Sequence, residues 1–474
     1  MAGAEPELSR RAGSAAQLPA DLRAAWIAHG DHAHALNALL GEQVWRGPDG
    51  AVVPYRDTGT AWVAAGTPIA AATAAHDAAV AFASAARAAG RIPLWFGIEH
   101  PERIPDAAGI VVGSLPEWSP AGWAEILRTR RRIREQLRRA RKKGVTIRAL
   151  SFAALAPADR YALERLESAW ARTRRIEPMG FVVAHRQDNL PLLRRCWIAE
   201  VGDRAVAYVT ATPMPARHAW LVEDLRRDGA PNGTSELMFD TIVRTLAADG
   251  AQWITPGMVP LVGTSQRWLG LVRQLARPLY DFDGLAFFRA RMHPDRWRPI
   301  YLLHPPQVSA PRAVTEVLRA FAGGSMLGFA ARSLFKRPPG LAWVLAAGLV
   351  PWTLGIATMA LASAESLLGF SRAALWGWAA FDATLVALLW MAARRRRLRH
   401  FVFATAAAAA DAMLSTLHLA NVGLGASLLQ QVLRLLSAAA PLFATGLLAY
   451  ASVTEWRAWR AGGAIPPAPR PSSA

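Results

Sequence analysis

Trp220 to Gly250 reads WLVEDLRRDGAPNGTSELMFDTIVRTLAADG. The run HAWLVEDL, starting at His218, is apolar until it ends in two acids, and it suits a strand. RRDGAPNGT is turn chemistry. In SELMFDTIVRTLAADG, Met238, Ile242 and Leu246 recur at helical spacing, and Gly250 closes the helix. AQWITPGM begins the next strand. Thr234 or Ser235 is expected to cap the helix, and Glu236 in its first turn suits the helix dipole. A strand, a glycine-containing loop and a helix N-terminus together make a place for an anionic or carbonyl-bearing ligand. Glu223, Asp224, Arg226 and Arg227 stand at that junction.

Outward from this stretch, residues 21–305 alternate between strand and helix patterns. AVVPY, TAWVAAG, IPLWFGI, GIVVGS and RAVAYVTATPM read as strands. Helical patterns fall at about 69–90, 120–143, 157–174, 235–248 and 264–275. The alternation predicts an α/β or α+β fold with a mixed sheet. HPPQVSAP (304–311) reads as a linker, and 312–337 as a helix on a membrane surface.

The last third changes character. LAWVLAAGLVPWTLGIATMALA (341–362) carries no charge and is long enough to span a bilayer. Residues 373–393, 401–420 and 435–453 give three more candidate spans. Arg332, Lys336 and Arg337 precede the first. Arg394, Arg395, Arg396, Arg397 and Arg399 separate the second from the third, and Arg457, Arg460 and Arg470 follow the fourth. The positive-inside rule then puts both termini and the 394–399 loop in the cytoplasm. The polar N-terminus lacks a secretory h-region, consistent with that orientation. Asp382, Asp411 and His418 fall inside predicted spans, and Arg434 at the edge of the fourth. Such groups usually face a bundle interior or cavity.

The net charge of +19 calls for an anionic partner, nucleic acid or anionic lipid. The densest run, RTRRRIREQLRRARKK (128–143), holds ten Arg or Lys and one acid. Ile126, Ile133, Leu137 and Ala140 supply one apolar stripe. The other faces are cationic and suit RNA phosphates or anionic headgroups. Cys196 is the lone cysteine and reads as core, which excludes an internal disulfide and a Cys-based metal site. His185 and His218 are the histidines near the opening stretch, and neither has triad or metal spacing. No metal and no cofactor are expected.

EDLRRDGAPNGTSELMFD followed by ITPGMVPL resembles the C-terminal domain of lysylphosphatidylglycerol synthetases, the multiple peptide resistance factor group. Other pieces match in order: GDHAHAL (30–36), WVAAGTPIA (62–70), PLWFGIE (93–99), IREQLRRARKKGV (133–145), Trp170 with Arg174, PMGFVV (178–183) and VAYVTATPM (206–214). The resemblance covers roughly 21–305. It implies two GNAT-like units in tandem, and transfer of an amino acid from aminoacyl-tRNA to a lipid hydroxyl such as that of phosphatidylglycerol. In place of a flippase module before the domain, this chain carries a four-span module after it.

The expected division is a disordered 1–20, a first GNAT-like subdomain with the basic helix at 21–150, and a catalytic one at 151–305. A linker and juxtamembrane helix at 306–340, a transmembrane module at 341–455 and a cytoplasmic tail at 456–474 complete it. Under this reading the chain is a multi-pass protein of the bacterial cytoplasmic membrane. Glu223 or Glu236 holds the substrate ammonium and Asp224 is a candidate base. Arg226 meets a phosphate or oxyanion, and Asn232 meets the ester. Arg174, Arg138, Arg139, Arg141, Lys142 and Lys143 are candidate substrate-binding cations. Two other readings stay open. The fold also serves coenzyme-A-dependent N-acyltransferases, although Pro231 removes an amide and the spaced glycines of their loop are missing. A non-catalytic, membrane-tethered binder of RNA or anionic lipid would need only the basic surface.

Overall fold

The computed structural model describes residues 18–174, 179–183, 193–276, 280–335, 338–362, 365–395 and 397–460. The chain forms two compact units, Met1–Phe329 and Ala330–Ala474.

The first unit opens with α1 (Ala20–His29), α2 (Ala35–Leu39), β1 (Gln43–Arg46), β2 (Val52–Asp57), β3 (Ala61–Ala65), α3 (Ala75–Ala88), β4 (Ile92–Ile98) and β5 (Ala108–Glu117). It continues through α4 (Trp123–Thr129), α5 (Arg131–Lys142), β6 (Val145–Leu150), α6 (Pro157–Thr173), β7 (Arg195–Val201), β8 (Arg204–Met214), β9 (Ala219–Arg227) and α7 (Thr234–Ala248). It closes with β10 (Trp253–Thr255), β11 (Val259–Pro260), α8 (Arg267–Ala276), α9 (Phe282–Arg291), β12 (Arg296–His304) and α10 (Ala310–Phe321).

Two mixed sheets result. One runs β1-β2-β3-β4-β12-β5-β11, the other β10-β9-β8-β7-β6. Each contains one parallel pair joined through a helix, β3–α3–β4 in the first and β9–α7–β10 in the second. Each sheet thus carries one parallel crossover, the repeat expected of two units in tandem. The sheets interleave along the chain: β6 joins the second sheet, and β12 returns to lie between β4 and β5 of the first.

Strands β1, β6, β7 and β12 had no clear strand signal. In β12, Pro299 argues against a central strand. The fold accommodates it because β12 pairs with β4 only at Tyr301–Leu303, and the ladder shifts register just after Pro299. The basic stretch forms two helices, not one. Arg130 leaves the helical region (φ −100°, ψ 85°), and Arg134 Nη1 donates to the freed carbonyls of Leu127 and Arg128. In α5, Ile133, Leu137 and Ala140 are buried, as their spacing required.

The cap of α7 differs from expectation. Gly233 is the N-cap, and Thr234 Oγ1 instead donates to the Pro231 carbonyl at 2.7 Å. Gly233 has φ +93°, and a Cβ there would lie 2.2 Å from the Gln136 carbonyl oxygen of α5. Two helices approach backbone to backbone at this point, which only glycine permits. α7 itself buries Met238, Ile242 and Leu246. Of the stretch 312–337, expected on a membrane surface, the part within α10 packs into the first unit's core: Ala313, Val317 and Ala320 join Val63 and Leu302.

The second unit begins within α11 (Met326–Phe335). It continues as α12 (Pro338–Leu361), α13 (Glu365–Leu368), α14 (Arg372–Arg395), α15 (Leu398–Val422) and α16 (Leu428–Arg460). α12, α14, α15 and α16 are each long and apolar enough to cross a membrane. They coincide with the four expected spans but run longer. Arg434, expected at a span's edge, lies inside α16. Its buried guanidinium donates to the carbonyls of Leu367, Val422 and Gly423.

Candidate active site

The site is built on a bulge in β9. Tyr208 pairs with Arg226 and Thr210 with Glu223. One residue separates the β8 partners, whereas two, Asp224 and Leu225, separate those on β9. In a regular strand, residues three apart face opposite ways. The extra residue turns Glu223 and Arg226 to one face and leaves Val222 and Leu225 facing the α5/α7 core.

On that face Glu223 is the centre of a buried polar network. Its carboxylate accepts from Asn37 Nδ2 at 2.9 Å and Thr212 Oγ1 at 2.6 Å, and it faces Arg194 Nη2 at 3.4 Å. Asn37 Nδ2 also donates to the Val182 carbonyl at 3.2 Å, and Arg194 Nε to Thr212 Oγ1 at 3.1 Å. The Arg194 side chain is 2% exposed and that of Glu223 14%. A desolvated guanidinium at this depth requires its carboxylate.

Further along the face, Arg226 Nε donates to Glu167 Oε2 at 2.9 Å, and Tyr208 Oη donates to the same oxygen at 2.6 Å. The Arg226 guanidinium lies 3.6 Å over the Trp170 ring, and that of Arg174 lies 4.8 Å from it. Helical spacing puts Trp170 and Arg174 one turn apart, which explains the W-x-x-x-R pattern. Desolvation, and then the charge of Arg226, lower the pKa of Arg174 below the ordinary arginine value.

A third group surrounds the loop between β10 and β11. The Met258 N–H donates to His34 Nε2 at 3.4 Å, and Arg289 donates to the carbonyls of Pro256 and Gly257. Gly257 has φ +81°, and a Cβ there would meet the His34 ring at 2.9 Å. Burial first, then the fields of His32 and Arg289, push the His34 pKa down to about 3. Burial also brings Arg289 down to about 10. Tyr280 lies within the fields of both Arg289 and Arg174, and its burial raises its pKa.

The other expected residues are distributed differently. Asp224 sits in the bulge, and its side chain lies outside the described residues, as does His185. Glu236 is buried and pairs with Arg291 at 2.8 Å. Asn232 is exposed on the turn. His218 occupies a left-handed turn (φ 49°) before β9. Arg138, Arg139, Arg141, Lys142 and Lys143 are all exposed along α5. Glu135 binds Arg138 and Arg139, and these hydrogen bonds hold its pKa down to about 2. Arg141 reaches Asp240 of α7 at 3.3 Å, and Asp240 also accepts from Trp123 Nε1 at 2.9 Å.

The sequence reading missed Asn37, Glu167, Arg194, Thr212, Tyr208, Tyr280 and Arg289. Asn37 directly follows GDHAHAL, Thr212 lies in VAYVTATPM and Val182 in PMGFVV. The separated pieces that carried the resemblance therefore meet around Glu223. The N-terminal turn of α7 is another matter. Its residues Gly233 to Glu236 are buried, and the first of them packs against α5. An anion site at that helix end was expected, but α5 covers it.

These features define an α/β domain with a bulged strand and a parallel crossover. Residues 127–304 match the family model described as phosphatidylglycerol lysyltransferase, C-terminal. Two solved structures share the fold. One is the C-terminal domain of a putative lysylphosphatidylglycerol synthetase from Agrobacterium fabrum, at 21% identity and TM-score 0.56, covering 65% of this chain and 98% of that one. The other is L-PGS from Bacillus licheniformis, at 21% identity and TM-score 0.57, covering 64% and 96%. A search of curated proteins found no match.

Proposed function

We propose that the chain moves an amino acid from aminoacyl-tRNA to a lipid hydroxyl, such as that of phosphatidylglycerol, at the cytoplasmic face of a bacterial membrane. The observation that carries this reading is the convergence of Asn37 and Thr212 on Glu223, with the Val182 carbonyl accepting from Asn37, because each comes from or adjoins a segment that resembles the family.

The reaction is a transesterification. The lipid hydroxyl oxygen attacks the aminoacyl ester carbonyl, a new ester forms, and the bond to the tRNA ribose oxygen breaks. The proton leaves the lipid hydroxyl and ends on that ribose oxygen. Glu223 is the proposed partner of the substrate ammonium, oriented by Asn37 and Thr212. Arg226, fixed between Trp170 and Glu167, is the proposed donor to a phosphate or the developing oxyanion. Asp224 is the proposed base. The exposed cations of α5 hold the tRNA backbone. The covered N-terminus of α7 weighs against a coenzyme A pyrophosphate at that point.

The test is mass spectrometry of membrane lipids from cells expressing wild type, Glu223→Gln or Arg226→Ala. An aminoacylated lipid with wild type alone is the expected result, and its mass names the amino acid and the acceptor. If folded wild type with charged tRNA yields no new lipid, the reading fails.

A further inference from the structure

The aminoacyl-transfer reading leaves the acids of the second unit without a task. Asp382 lies in the buried stripe of α14 with Leu375, Ala379, Leu385 and Leu389, and is 1% exposed. Its Oδ2 is buried without a hydrogen-bond partner. Asp411 lies in the buried stripe of α15 and is 4% exposed. Trp378, one turn before Asp382 on α14, donates from Nε1 to Asp411 Oδ1 at 3.0 Å. That bond ties Asp411 to the turn of α14 that precedes Asp382.

No described cation neutralises them. α12, packed along α14, has no ionisable residue. On α16, Arg434 is spent on backbone carbonyls at one end of the bundle. On α15, His400 stands three turns before Asp411. His418 stands two turns after it, with Nε2 3.0 Å from the Leu368 carbonyl and its ring stacked on Phe370. Carboxylates in an apolar bundle lose their hydration and, near one another, repel. A proton bound at Asp382 removes one of the two charges.

We propose that Asp382 and Asp411 form a proton-binding site inside the four-helix unit. Asp411 already accepts from Trp378 and from Ser415 Oγ at 3.2 Å, so it is the acceptor of the pair. Asp382, with its orphan oxygen, carries the proton and donates it. Asp411, Ser415 and His418 follow at i, i+4 and i+7, one stripe of α15. His418 is partly exposed, so the stripe leads from the buried pair towards the outside of the bundle and is the route of exchange.

The experiment is infrared spectroscopy of the full chain in lipid nanodiscs at pH 7, with transfer to D2O. The expected result is one carbonyl band from a protonated carboxylic acid, shifting slowly on deuteration. Asp382→Asn, which matches the protonated acid in shape, removes the band. His418→Phe keeps the band and slows its deuteration several-fold. Glu455→Gln, in the last turns of α16, leaves it unchanged. Absence of the band from wild type, or its persistence in Asp382→Asn, overturns the proposal. The wild-type spectrum decides even if a variant fails to fold. No outcome depends on aminoacyl transfer.

Discussion

Replacing Glu223 with alanine would remove a carboxylate from the buried network around Arg194, whose side chain is 2% exposed. Removal of one partner from a buried pair typically costs about 3 kcal/mol. Chemical denaturation of the full chain in detergent, followed by tryptophan fluorescence, should show that loss for Glu223→Ala and a smaller one for Glu223→Gln. Gln fills the same space and keeps one carbonyl acceptor for the Asn37 or Thr212 donor. His34 gives a second test. Its Nε2 accepts the Met258 N–H, so the folded state holds the neutral ring and a pKa of about 3. The unfolded ring titrates near its ordinary value of 6.5. Below that value the unfolded chain binds the extra proton, so stability falls as pH drops from about 6.5 towards 3. Because the ring is partly exposed, the loss by pH 5 is discounted to about 1 kcal/mol. His34→Gln should flatten that part of the Tm-versus-pH curve.

At the scale of elements, the α5–α7 contact joins the basic surface to the strand that bears the site. Gly233→Ala would place a methyl group on the Gln136 carbonyl in a left-handed conformation. A cost of at least about 2 kcal/mol is expected, since strain and a backbone clash add. The Tm of the full chain measures it. Gly250→Ala is the control, because a Cβ there meets nothing within 4 Å and only the strain of its φ of +80° remains. The glycine of the APNG loop thus has a packing reason as well as a turn reason. The bulge in β9 is likewise an element-scale device. Without it, Glu223 and Arg226 would point to opposite faces.

For the whole molecule, whose net charge is +19, α5 turns the densest basic run to solvent. Under the proposed function, tRNA affinity should fall steeply with salt. Lys142→Gln with Lys143→Gln should lower the slope of log K against log salt by about 1–2, at roughly 0.9 per phosphate contact. An unchanged slope would remove α5 from the tRNA interface. Lipid aminoacylation by this variant should fall with tRNA affinity and recover at low salt.

The sequence by itself determined the features that rest on local pattern. Periods of 3.6 and 2 gave most helices and the strongest strands, apolar length gave the four long helices, and ordered short pieces pointed to the family. It did not reveal strands whose neighbours come from far along the chain. β12 looks unfit for a central position, yet its ladder to β4 begins only at Tyr301 and leaves Pro299 out. Glu223, Arg226 and Arg174 were legible because acids and arginines at a strand end or beside a tryptophan stand out. Asn37, Arg194 and Thr212 were not, because a polar residue is chosen for such a network by partners up to 186 residues away. Which face a strand residue occupies, and whether a helix end is open or covered, follow from bulges and backbone contacts. Those are properties of the folded packing, and only the tertiary structure decides them.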